Sequence, residues 1–274
     1  MPYNKPSDAS LDAFLTRHFP AAQAAGSLSA LRGLSGSSVL VDTPQGQRLV
    51  RQRNASLVTR AAFARQYRAL RQLPADIAPH VWCREGDWLM LDYLPGEVKT
   101  SLPPVPQLAA LLYHLHQQPR FGWRITLLPL LQNYWQTSAP QRRTLFWLRR
   151  LRALARQGEP KPLRLTPLHM DVHPGNLVWQ GDTPRLIDWE YAGDGDVALE
   201  LAAVWADASE RDALAEHYAQ LSGIDASALR SQVRRWQPWV EMLIAGWYEQ
   251  RFQQTQEQQF IALADEAWCQ ARAR

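Results

Sequence analysis

His169-Met170-Asp171-Val172-His173-Pro174-Gly175-Asn176 is followed, after a short apolar run, by Leu186-Ile187-Asp188-Trp189-Glu190. Pro174-Gly175 predicts a tight turn, and Asn176 then opens an apolar strand, Leu177-Val178-Trp179. A second strand, Leu186-Ile187, carries Asp188 to the same end. Asn176 and Asp188 would then stand as neighbouring oxygen ligands, a donor set suited to a hard cation such as magnesium. A carboxylate at Asp171 is placed to accept the proton of an attacking hydroxyl. Taken alone, Asp171 reads more readily as a turn or capping residue. Taken together, the three residues read as parts for magnesium-dependent phosphoryl transfer: Asp171 as base, Asn176 and Asp188 as metal ligands. Protein kinases use the same order of Asp, Asn and Asp, although the HRD and DFG wording is missing here.

His169, Asp171 and His173 alternate, so zinc is the rival metal. The proline and the asparagine favour an oxygen-ligated ion that bridges phosphates. The histidines are then expected to hydrogen-bond the loop and orient Asp171, with His173 also touching substrate.

Upstream, Gly33-Leu34-Ser35-Gly36-Ser37-Ser38 precedes Val39-Leu40-Val41, a Thr43-to-Gly46 turn and Arg48-to-Gln52, a β-hairpin pattern. Small residues at Ser35, Gly36, Ser37 and Ser38 let backbone amides approach phosphates; a plain turn is the alternative. No Gly-Lys-Ser/Thr follows, so this is not a Walker loop. The chain has only Lys5, Lys99 and Lys161. Arg51 therefore stands where a kinase places its phosphate-pairing lysine, and its planar donors suit that role. Residues 59–73 predict a helix ended by Pro74, with Gln66 where a kinase places the glutamate that orients that cation; Gln66 supplies no counter-charge. Val81-Trp82 and Trp88-to-Tyr93 read as strands. Leu94-Pro95-Gly96 breaks the chain, which puts the boundary between an N-terminal nucleotide-binding lobe, 1–93, and a catalytic and substrate-binding lobe, 94–274. Backbone groups at Asp92 and Leu94 are expected to meet the edge of adenine.

The second lobe reads as mainly helical: 108–117, 141–156, 196–217, 227–253 and 256–273. In 141–156 a stripe of Leu145, Leu148, Leu151 and Leu154 is expected to pack, with the arginines solvated. Beyond Asp188, Trp189, Glu190, Tyr191, Asp194 and Asp196 form an acidic and aromatic cluster. Carboxylates beside aromatic faces suit a cationic substrate, and Trp123 offers another wall. Helix capping by Asp194 or Asp196 is the alternative for one of them.

The 274 residues have the composition of an ordinary globular protein, and the formal charge of +4 suits an anionic ligand such as a nucleotide, or simply solubility. No nucleic-acid signature appears, and no run reaches the roughly 18 apolar residues of a membrane span. Cys83 and Cys269 match no metal or redox spacing. A cytoplasmic enzyme is expected.

His169-to-Asn176 followed by Ile187-to-Glu190 resembles the signature of the aminoglycoside phosphotransferase/choline kinase superfamily. The similarity extends to Gly33-to-Ser38, Leu49-Val50-Arg51, Ile77-Ala78-Pro79, Asp92-to-Gly96 and Leu115-His116. It implies an α+β, two-lobed, protein-kinase-like fold, with a small antiparallel sheet in one lobe and a mainly helical second lobe. Asp92-to-Thr100, Leu115-to-Leu130 and Trp189-to-Asp196 are also similar to the bacterial thiamine kinases. That resemblance implies ATP and Mg2+ as co-substrate and cofactor and the primary hydroxyl of thiamine as acceptor. Choline, ethanolamine or an aminoglycoside as acceptor, or an inactive nucleotide-binding module, are the alternatives.

Overall fold

The computed structural model describes residues 8–18, 29–33, 36–43 and 46–273. In chain order these form α1 (Asp8–His18), β1 (Ser29–Gly33), β2 (Gly36–Thr43), β3 (Gly46–Gln52), α2 (Arg60–Gln72), β4 (Val81–Glu85), β5 (Trp88–Asp92), β6 (Glu97–Val98) and α3 (Val105–His116). Then follow α4 (Leu127–Thr137), α5 (Leu145–Gln157), β7 (Leu165–Leu168), β8 (Leu177–Gln180), β9 (Thr183–Leu186), β10 (Gly193–Asp196), α6 (Val197–Ala203), α7 (Ala208–Ser222), α8 (Ala226–Thr255) and α9 (Gln258–Arg272). Short 3-10 turns lie at Pro140–Arg142 and Pro174–Asn176.

The chain divides into two compact units, Met1–Ser101 with His173–Ala192, and Leu102–Val172 with Gly193–Arg274. This differs from a single boundary after residue 93. Val98 of β6 pairs with Val178 and Glu97 with Trp179, so the β8–β9 hairpin joins the first unit through a three-stranded sheet. Gly96 makes that pairing possible, since a Cβ there would stand 2.2 Å from the Trp179 carbonyl oxygen.

The first unit's larger sheet is antiparallel, in the order β1-β2-β3-β5-β4. Alternation along β2 and β3 buries Val39, Val41 and Val50, which join Leu11, Phe14 and Leu15 of α1 and Trp88 and Met90 of β5 in one core. The sequence pattern did not announce α1. Thr59 caps α2 by accepting from the Ala62 amide at 3.1 Å, and α2 buries Phe63, Gln66, Ala69 and Leu70. Gly36, Ser37 and Ser38 are not a loop: they lie in β2, opposite Gly33, Arg32 and Leu31 of β1. Ser35 lies outside the described residues.

In the second unit α3 packs on α7, and α8 packs on α4, α6, α7 and α9. The stretch read as one helix over 196–217 is two, because Asp207 and Glu210 form a reciprocal cap that starts α7. The stripe of α5 is also shifted. Trp147, Leu151 and Leu154 are buried, whereas Leu145 is 70% exposed. Arg142 reaches Glu249 of α8 at 2.9 and 3.0 Å and Asp265 of α9 at 2.6 Å, and Trp268 also donates to Glu249. Among the described residues no helix is long and apolar enough to cross a membrane.

Candidate active site

The boundary between the units runs through the loop that carries the motif, between Val172 and His173. In the second unit, β7 leads into His169, which is fully buried. Its Nδ1 accepts from the Asp171 amide at 3.2 Å, as expected of a histidine that orients the loop. Met170 adopts a left-handed conformation, φ 70°, rare for a side chain without local hydrogen-bonding groups. The carboxylate of Glu200, on α6, accepts from the His169 amide at 2.6 Å and from the Met170 amide at 2.8 Å. Tyr248 of α8 lies near enough to Asp171 to feel its charge: burial pushes the phenol up first, and Asp171 adds to the rise.

In the first unit, His173 caps the Pro174–Asn176 turn by accepting from the Gly175 amide at 3.1 Å. Glycine suits the turn, since a Cβ at 175 would stand 2.8 Å from the His173 ring and push it aside. The Asn176 carbonyl accepts from the Ile187 amide at 3.0 Å, just beyond the paired ends Leu177 and Leu186 of the hairpin. Asp188 takes φ 63°, a strained left-handed turn that Asp tolerates better than most residues. Arg51 of β3 donates to Asp188 at 2.7 Å and lies 3.7 Å from Glu190. Burial pulls the Arg51 pKa down, but Asp188 and Glu190 more than offset it and hold the guanidinium charged. These carboxylates supply the counter-charge that Gln66, buried in α2, lacks.

The donor set of Asn176 and Asp188, an amide and a carboxylate, consists of hard oxygens and fits magnesium. Among the described residues no three His, Cys, Asp or Glu side chains converge as a metal cluster. The two histidine Nδ1 atoms accept from backbone amides of the loop.

Three of the expected substrate contacts have structural partners of their own. Trp189 is 1% exposed and donates to the Leu186 carbonyl at 3.0 Å, so it belongs to the core. Asp194 accepts from the Phe121 and Gly122 amides, each at 2.8 Å, one per oxygen. Asp196 caps α6 and accepts from the Leu163 amide, Gln232 and Trp236 at 3.1, 2.8 and 2.8 Å. Both carboxylates hold the fold, and Asp194 also lines the cavity that Trp123 borders. Trp123 stacks on Phe121 and borders an open cavity of about 560 Å³, with Arg120 and Arg124 beside it. Asp92 is tied into the sheet: its amide donates to His80 at 2.8 Å, and its carboxylate meets Trp82 at 2.6 Å and Arg48 at 3.2 Å. The Asp92 amide is thereby used within the sheet. Leu94 follows, half-buried. Glu200 escaped the sequence reading. Its signal was a lone glutamate inside the apolar run Val197-to-Ala203.

A family model described as the phosphotransferase enzyme family matches residues 28–267. The thiamine kinase of Escherichia coli O17:K52:H18 is 56% identical, over 98% of this chain and 98% of its own length. A choline/ethanolamine kinase family protein from Mesorhizobium loti superposes with a TM-score of 0.77 at 21% identity, over 97% of this chain and 93% of that one. The choline kinase LicA from Streptococcus pneumoniae gives 0.71 at 14% identity, over 97% and 100%. The last two show the fold, which is the kinase-like α+β fold expected from the motif. The chain belongs to the phosphotransferase enzyme family and is a small-molecule kinase.

Proposed function

We propose that this protein transfers the γ-phosphoryl group of ATP to the primary hydroxyl of thiamine, giving thiamine monophosphate and ADP. The supporting observation is the 56% identity to a thiamine kinase across nearly the full length of both chains. Asp171 accepts the hydroxyl proton as the oxygen attacks phosphorus. Asn176 and Asp188 would hold magnesium, which supplies positive charge to the phosphate oxygens when bound. Arg51, kept charged by Asp188 and Glu190, supports the phosphates from β3. With Asp194, Asp196 and Trp189 committed to the fold, recognition of the thiazolium falls to Glu190, His173 and Trp123. In this reading the enzyme works in the cytoplasm, where ATP is at hand.

The test is incubation of the purified protein with ATP and thiamine, with and without magnesium, followed by mass spectrometry. Magnesium-dependent thiamine monophosphate is expected. Its absence, with ATP consumed on choline or ethanolamine instead, would favour the acceptor named for the Mesorhizobium loti relative by fold.

A further inference from the structure

We propose that the cavity bordered by Trp123 recognises the aminopyrimidine half of the acceptor, and so separates thiamine from smaller cationic alcohols. The inference rests on the thiamine reading above and adds a second anchor to it. The cavity measures about 560 Å³, within the roughly 300–1,000 Å³ of small-molecule sites, and is lined by Arg120, Gly122, Trp123, Arg124, Leu165 and Asp194.

Its walls are fixed by the backbone. The segment 121–125 wraps one residue of β10. The Asp194 carboxylate accepts from the Phe121 and Gly122 amides, its own amide donates to the Trp123 carbonyl at 2.8 Å, and its carbonyl accepts from the Ile125 amide at 2.9 Å. Phe121 stacks on Trp123 with ring centroids 5.4 Å apart and planes inclined by 18°, which sets the plane of the indole. Gly193 lets that indole approach β10, since a Cβ there would stand 3.2 Å from Trp123 Nε1. A wall already in place leaves little ordering cost for binding. Arg120 and Arg124 are exposed, and among the described residues neither has an ion-pair partner.

This mixture of charges selects the ligand. A carboxylate in the wall repels an anion, and two guanidiniums repel a simple cation such as choline. A neutral heterocycle with one amino donor beside ring-nitrogen acceptors satisfies both. The Asp194 oxygens keep lone pairs beyond the two amide bonds and accept from the amino group, while the arginines donate to ring nitrogens. Trp123 stands where the two rings of thiamine join, with the thiazolium toward Asp171. The reach agrees. Asp194 pairs with Pro167 in the β10–β7 ladder, four residues before Asp171. Four residues span at most about 14 Å when extended, and the left-handed turn at Met170 shortens that. Two rings joined by one carbon and ending in a hydroxyethyl arm are long enough to bridge it.

The test uses three acceptors: thiamine, oxythiamine (a carbonyl in place of the amino group) and the thiazolium alcohol in which methyl replaces the pyrimidine arm. With wild-type protein, ATP and magnesium, kcat/KM should be lower than for thiamine by at least about tenfold for oxythiamine and about a hundredfold for the truncated alcohol. In the double variant Arg120→Ala with Arg124→Ala, the preference for thiamine over the truncated alcohol should shrink at least about tenfold. Equal turnover of the three by wild type, or an undiminished preference in the double variant, would overturn the proposal and leave the kinase reading standing. If wild type phosphorylates neither thiamine nor the truncated alcohol, the kinase reading fails, and calorimetric titration with thiamine alone decides the cavity. Binding weakened about tenfold in the double variant supports it; binding that is absent or unchanged overturns it. Binding of inorganic phosphate that the double variant abolishes would assign the arginines to an anion and also overturn it.

Discussion

Arg51 Nη1 stands 2.7 Å from Asp188 Oδ1, joining the third strand of the large sheet to the residue that ends the β8–β9 hairpin. Glu190 lies 3.7 Å from the same guanidinium. An arginine that replaces lysine thus keeps an acidic partner without drawing one from α2. Arg51→Ala should raise KM for ATP about tenfold and leave KM for thiamine within twofold. Arg51→Lys should recover part of the loss, because it retains the charge but not the planar fork. Initial-rate measurements with each substrate varied in turn decide this; equal effects on both KM values would remove Arg51 from nucleotide binding.

Asp171→Asn keeps the shape of the residue but cannot take a proton. Turnover should fall by about 10² to 10⁴, the usual worth of a positioned base, while the dissociation constant of ADP stays within twofold. Near-normal turnover would remove Asp171 from that role.

The Arg142 network is structural. Glu249 is 1% exposed, and Arg142 and Trp268 hold it. Glu249 and Asp265 raise the Arg142 pKa, the hydrogen bond to Glu249 first. Arg142→Ala leaves a buried carboxylate without its cation and should cost about 3 kcal/mol in a denaturant titration. Arg142→Ala with Glu249→Gln should cost less than the single change, because no buried charge is then stranded.

Acid sensitivity enters through the first unit. Two hydrogen bonds from Arg53, at 2.8 and 3.0 Å, hold the Asp87 carboxyl below its ordinary 3.8, against a smaller opposing effect of burial. In that range the unfolded chain binds the proton and the folded one does not, so the stabilisation is complete above 3.8 and fades as pH falls toward the folded value. Asp87→Asn should cost about 1 kcal/mol at neutral pH, and urea midpoints of mutant and wild type should converge as the pH is lowered below that value. A gap that persists in acid would mean the ion pair is not its origin.

The β8–β9 hairpin could be read from the chain because Pro174-Gly175 and the apolar runs on either side are local signals, and the structure pairs Leu177 with Leu186 as that reading requires. The break between α6 and α7 was also written locally, in the Asp207-to-Glu210 cap, but the apolar periodicity around it masked the signal. Asp194 and Asp196 stand near aromatic residues in sequence, whereas their partners at 121, 122, 163, 232 and 236 come from elsewhere in the chain. β10 is buried along its whole length, and Gly193 and Gly195 admit Ile125 and Leu168 so closely that a Cβ would meet them at 2.7 and 2.5 Å. Glu200 lay beyond local reading for the same reason: its amide partners are 30 and 31 residues away along the chain. Motif spacing reports which groups do chemistry. Which carboxylates hold those groups in place is a property of packing.

The most direct measurement is kcat/KM for thiamine, choline, ethanolamine and an aminoglycoside, each with ATP and magnesium. The account predicts that thiamine exceeds every other acceptor by at least about a hundredfold and that the product is thiamine monophosphate. Choline or ethanolamine turning over faster than thiamine would contradict it.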